Sequence, residues 1–114
     1  MSTELKKNFN IQLGVVKRTI NDCKSYVDEL KREEERLEEM QKTETDQFKL
    51  NQQKQVIEET VAALKVSRLN LRKYCEKAEL VFVEYLESSL PEENENEMIN
   101  DLLNEAAEVI QGKK

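Results

Sequence analysis

The side chains with chemistry to offer are two cysteines, 24 carboxylates and 18 lysines and arginines, in a chain of 114 residues with no histidine and no tryptophan. A thiol can serve as nucleophile, metal ligand or half of a disulfide. Cys23 and Cys75 stand alone, with no second cysteine or histidine at metal-ligand spacing. The only glycines are Gly14 and Gly112, so no Gly-rich loop can cradle a phosphate. The carboxylates fall at helical spacing among other charged residues on solvated faces, where nothing marks one for general acid or base work. No catalytic role, cofactor or metal is expected. A net charge of −6, with basic residues that do not alternate with stacking aromatics, argues against nucleic acid as a partner.

The elements that must position these residues are helices. Phe9, Leu13, Val16, Ile20, Cys23, Val27, Leu30 and Leu37 recur at steps of four and three, and only Glu34 breaks the seam. No proline occurs before Pro91, so one helix is predicted over 4–42. Its apolar stripe needs a partner. The polar run Lys42–Asp46 ends it; Thr45 is then expected to cap a second helix over 46–88, with Asp46 in the first turn. There Leu50, Ile57, Leu64, Leu71, Ala78 and Tyr85 repeat every seven residues. Lys54, Val61, Arg68, Cys75 and Phe82 are read as the second row, with the stems of Lys54 and Arg68 along apolar surface and their charges in water. Ser88–Pro91 closes that helix. A third is predicted over 95–111, with Asn94 and Glu97 at capping-box spacing, an apolar stripe of Met98, Ile99, Leu102, Leu103, Ala106, Val109 and Ile110, and Gly112 as terminator.

The expected fold is all-α: a single domain forming an elongated antiparallel three-helix bundle with coiled-coil-like packing. A fold-back at 43–46 sets Cys23 opposite about residue 66, roughly 13 Å along the axis from Cys75. A disulfide needs Cα atoms within about 7 Å, so two free thiols are expected. Residues 1–27 carry five bases against two acids, and 28–46 carry nine acids against four bases. Lys17 and Arg18 are expected beside Arg68, Arg72, Lys73 and Lys77, at the bundle end far from the turn, where the third helix begins in a segment with seven acids from Glu92 to Glu108. No apolar run is long enough to span a membrane, and Met1–Asn10 lacks the apolar core of a signal peptide, so the expected compartment is the cytosol.

Gly14, Val15, Val16, Lys17 and Arg18, then Tyr26, Glu29, Glu34, Glu35, Leu37 and Met40, resemble the first helix of the tubulin-binding cofactor A family. Phe48, Leu50, Gln53, Ile57 and Glu59 resemble the start of its second. Asn51 and Gln52 stand where that family often has a basic pair, and Lys65 where some relatives have a proline, which implies a straighter second helix. The resemblance implies a post-chaperonin folding cofactor in the cytoplasm, associated with the cytoskeleton. Such a protein captures quasi-native β-tubulin and passes it on towards αβ-tubulin assembly without nucleotide, and it meets the other tubulin-folding cofactors only indirectly. Lys17, Arg18, Tyr26, Glu34, Glu35, Phe48 and Gln53 are the expected β-tubulin contacts, on a monomer or weak homodimer. The competing reading is a structural coiled-coil protein whose first seam pairs with a second copy. A prefoldin-like subunit would need β-hairpins that Lys42–Asp46 is too short to supply.

Overall fold

The structure, a computed structural model, describes residues 2–88 and 93–112. Three helices follow in order, α1 (Ser2–Thr43), α2 (Gln47–Ser88) and α3 (Glu93–Ile110). They form an all-α bundle measuring 65 × 19 × 17 Å. At about 1.5 Å per residue, the long helices alone account for the greatest dimension. The Ser89–Pro91 connection lies outside the described residues, as does the side-chain surface of Glu93.

Asp46, rather than Thr45, caps α2. Its Oδ1 accepts the Phe48 amide at 2.9 Å, while Glu44 Oε1 accepts the Asp46 amide at 3.0 Å. Either residue type suits a cap, and Asp46, directly before Gln47, sits at the position from which its carboxylate reaches the second helical amide. α3 begins at Glu93, so Asn94 is its second residue and not its cap.

The first seam packs against α2 of the same chain. Phe9, Val16 and Cys23 are fully buried, and the Phe9 ring lies 5.1 Å from Phe82 and 5.5 Å from Tyr85. Cys23 Sγ meets Ser67 Oγ at 3.2 Å, within one residue of the expected register, and both cysteines are free. Leu64, Leu71, Ala78 and Tyr85 are buried as their heptad row requires. The second row differs. Gln53, Thr60, Ser67 and Val81 face α1, whereas Val61 is 47% exposed, Arg68 reaches Val109 of α3, and Phe82 keeps its contact with Phe9 of α1. Three of the inward residues are polar, so apolarity could not mark them.

α3 covers one half of the hairpin. Ile99, Leu102, Ala106 and Val109 are buried, while Met98 leaves the expected stripe at 43% exposure. Tyr85 Oη donates to Glu95 Oε1 at 2.9 Å near the start of α3, and Arg68 Nε donates to the Val109 carbonyl at 3.2 Å near its end. Arg68 thus caps α3 instead of reaching only water, placing its charge at the negative end of the helix dipole. Gly112, at φ 80°, closes the last turn with its amide on the same Val109 carbonyl at 3.1 Å.

Beyond α3 the hairpin continues as two helices only. Between Cys23 and Leu64 no apolar side chain is fully buried; the buried residues there are Gln53 and Thr60. Val27 and Leu30 pack only partly against the core, and Phe48 is 67% exposed. The bundle therefore has a well-packed half and a thinly packed half that ends in the loop.

Candidate functional site

Two helices laid side by side leave a groove on each face. α3 fills one of them along the packed half, and the other stays open. In the packed half the open groove is lined by Val15, Arg18 and Tyr26 from α1 with Val66, Tyr74 and Lys77 from α2. Its floor is made of small residues, Thr19, Ala62, Ala63 and Ser67, which is why Tyr26 sinks to half-burial between the helices. Arg18 and Lys77 give this stretch a basic wall, relieved by Asp22.

Towards the loop the groove is lined by Glu33, Arg36 and Met40 against Gln52, Gln53 and Val56. Gln53 is buried because its amide donates to the Glu33 carbonyl across the helices at 2.9 Å. The Glu33 side chain has an unusual position. Its Oε1 is buried and has no hydrogen-bond partner among the described residues. An acceptor in that state costs roughly 1–3 kcal/mol, more when charged, and a donor brought by a partner would recover it.

Arg18, Tyr26 and Gln53 thus lie along one open groove, while the other expected contacts lie elsewhere. Lys17 is exposed and one heptad from Lys24, whose ammonium pairs with Glu105, so Lys17 projects on the α3 side. Glu34 and Glu35 are exposed beside Val27, Leu30 and Lys31, on the stretch that α3 does not reach. Phe48 sits at the loop tip.

The expected basic cluster is divided. Arg18 and Lys77 share the open groove, whereas Lys65, Arg68 and Arg72 gather beside Ile110 at the end of α3. These residues stand near the middle of the long helices, since Cys23 pairs with Ser67, and not at the end where α3 begins beside Tyr85. Tyr74 was absent from the expected contacts. Its signal was a place on the same heptad row as Gln53, Thr60 and Ser67.

Chemistry at the thiols is subdued. Burial first, then the charges of Glu79 and Glu76, push the Cys75 thiol from 9.0 to about 11, so it stays protonated and a poor nucleophile at neutral pH. Among the described residues no group of three or more His, Cys, Asp or Glu side chains can hold a metal ion. Among the same residues no helix is long and apolar enough to cross a membrane. What the two long helices present is a long groove with aromatic walls, a polar rim and an acceptor that lacks a partner among the described residues.

No curated protein and no solved structure matches the chain. The family model described as Tubulin binding cofactor A matches residues 4–110, which takes in nearly all of α1, all of α2 and all of α3. The chain therefore belongs to the tubulin-binding cofactor A family, a family of chaperone-type tubulin-binding cofactors.

Proposed function

We propose that this cofactor captures quasi-native β-tubulin released from the cytosolic chaperonin, stabilises it and passes it on towards αβ-tubulin assembly. It does so in the cytoplasm, next to the cytoskeleton and without a nucleotide, and it meets the other folding cofactors only through tubulin. The observation that carries the reading is the open α1–α2 groove, with Tyr26 and Tyr74 as walls and the buried, unpaired Glu33 oxygen farther along. Aromatic side chains on a small-residue floor are the usual anchors of a protein interface. Arg18 and Lys77 supply positive charge towards an acidic partner such as tubulin and speed the encounter. Gln53 holds the two helices in register in the groove, whereas Lys17, Glu34, Glu35 and Phe48 lie off it and are not part of this proposed interface.

Gel filtration with β-tubulin freshly released from chaperonin tests the proposal, beside the Lys17→Glu, Arg18→Glu double variant. Co-elution that the variant loses supports it. Failure of the unmodified chain to co-elute rejects it. Co-elution that the variant keeps removes the basic residues from the interface.

A further inference from the structure

The groove that α3 fills does not end where α3 ends. Beside and beyond Ile110 it runs on between Leu30 of α1 and Val61, Leu64 and Leu69 of α2. Val61 and Leu69 are 47% and 49% exposed there, although Leu64, between them in the chain, is buried. Three bases, Lys65, Arg68 and Arg72, stand along the α2 wall of this opening, and no acid lines it. Arg68 is engaged with the Val109 carbonyl. Lys65 and Arg72 have neither a hydrogen bond nor an ion pair among the described residues. Apolar side chains left in water beside uncompensated positive charge fit a partner that brings apolar surface and carboxylates together.

The occupant of the filled section shows the form such a partner takes. α3 is an acidic amphipathic helix: Ile99, Leu102, Ala106 and Val109 are buried against the hairpin, and Glu105 meets the Lys24 ammonium beside them. An apolar stripe with an acidic flank is thus what this groove accepts where it is occupied, and the open section offers the same two surfaces. One difference orients the fit. Lys24 belongs to α1, whereas in the open section the bases lie on α2, and α1 presents Glu34, Glu35 and Glu38. A helix continuing the line of α3 would therefore hold its carboxylates against α2. Nucleic acid fits poorly, because a chain of net charge −6 offers a polyanion little beyond these three bases.

We infer that the groove section beyond Ile110 docks an acidic amphipathic helix of a partner protein, its apolar stripe on Leu30, Val61 and Leu69 and its carboxylates on Lys65 and Arg72. The section lies on the α3 face of the hairpin, opposite the groove walled by Tyr26 and Tyr74, and the inference does not rest on the tubulin reading.

A labelled helical peptide of glutamate, leucine and alanine, as long as the 18 residues of α3 and with its leucines at helical spacing, is the probe. It is titrated against the full chain by fluorescence anisotropy. Saturable binding that weakens as salt rises is expected. The double variant Lys65→Glu, Arg72→Glu should raise the dissociation constant on the order of tenfold, the effect of turning two exposed ion pairs repulsive. Val61→Asp should weaken binding as well, and Lys73→Glu, a reversal outside the opening, should leave it unchanged. All four positions are exposed, so helicity by circular dichroism should stay the same in every variant. Absence of binding overturns the inference. So does an equal loss in Lys73→Glu, which would reduce the attraction to overall charge. Faster amide exchange across 95–110 on adding the peptide also overturns it, since the peptide would then be displacing α3. Displacement of the peptide by vesicles of anionic phospholipid would make the patch a membrane contact and overturn it too.

Discussion

Arg68→Met should loosen α3 while leaving the α1–α2 hairpin intact. Methionine keeps the apolar stem along the helix surface but removes the Nε donor on the Val109 carbonyl and the positive charge at the end of α3. A hydrogen bond from a charged group contributes roughly 1.5–3 kcal/mol. The lower end applies here, because Arg68 is only half-buried and the Gly112 amide remains on the same carbonyl at 3.1 Å. The dipole interaction adds about 0.3–1 kcal/mol but is screened by salt. Together these predict that undocking of α3 becomes easier by about 2 kcal/mol, or roughly thirtyfold faster amide exchange from opened states. Native-state hydrogen exchange read on peptides covering 95–110 and on peptides from α1 and α2 measures this. Raising salt should reproduce part of the effect in the unmodified chain as the Debye length falls below about 8 Å. Unchanged exchange in α3 would refute the capping role of Arg68. An equal acceleration in all three helices would refute the separate docking of α3.

The remaining predictions test packing and the groove. Leu71→Ala, at a fully buried position, should lower the unfolding free energy by about 2–5 kcal/mol in urea titration, whereas Ile57→Ala in the thin half should cost less than about 2 kcal/mol. Gly112→Ala should cost about 1 kcal/mol, because φ of 80° strains any side chain, although the added Cβ would meet Arg68 Nη2 at an ordinary 3.5 Å. Alkylation of Cys75 should stay slow through neutral pH and accelerate only as pH approaches about 11; a profile centred near 9.0 would contradict the burial and Glu79 influence. Since the folded thiol titrates above its ordinary value, the protonated thiol's contribution to stability is complete below about pH 9.0 and disappears as pH rises towards 11. Glu33→Gln should stabilise the free chain or leave it unchanged, since it removes a buried charge with an unpaired oxygen, and should weaken tubulin binding in a pull-down titration.

Much of this fold was legible in the residues because heptad spacing is a strong signal over 42-residue helices. The row from Leu64 to Tyr85, the register near Cys23 and the Gly112 terminus all follow from it. The side of α2 that meets α1 did not follow. Gln53, Thr60 and Ser67 make that contact with small or hydrogen-bonding side chains, whereas in the more apolar-looking row Val61 is exposed, Arg68 reaches α3 and Phe82 packs on Phe9. Asp46 and Thr45 are both competent caps, and only the path of the chain chooses between them. The candidate site was less legible still. Arg18, Tyr26 and Gln53 share a groove only because α2 brings Tyr74, Lys77 and Val56 alongside them. Arg68 carried no local sign that its partner lies 41 residues away.

The central claim is that β-tubulin occupies the groove left open by α3. Hydrogen exchange of the chain alone and in complex with β-tubulin tests it most directly. Slower exchange on complex formation in 12–26, 33–40 and 62–77, with α3 unaffected, is the predicted result. Protection confined to α3, or to the loop tip around Phe48, would contradict the account.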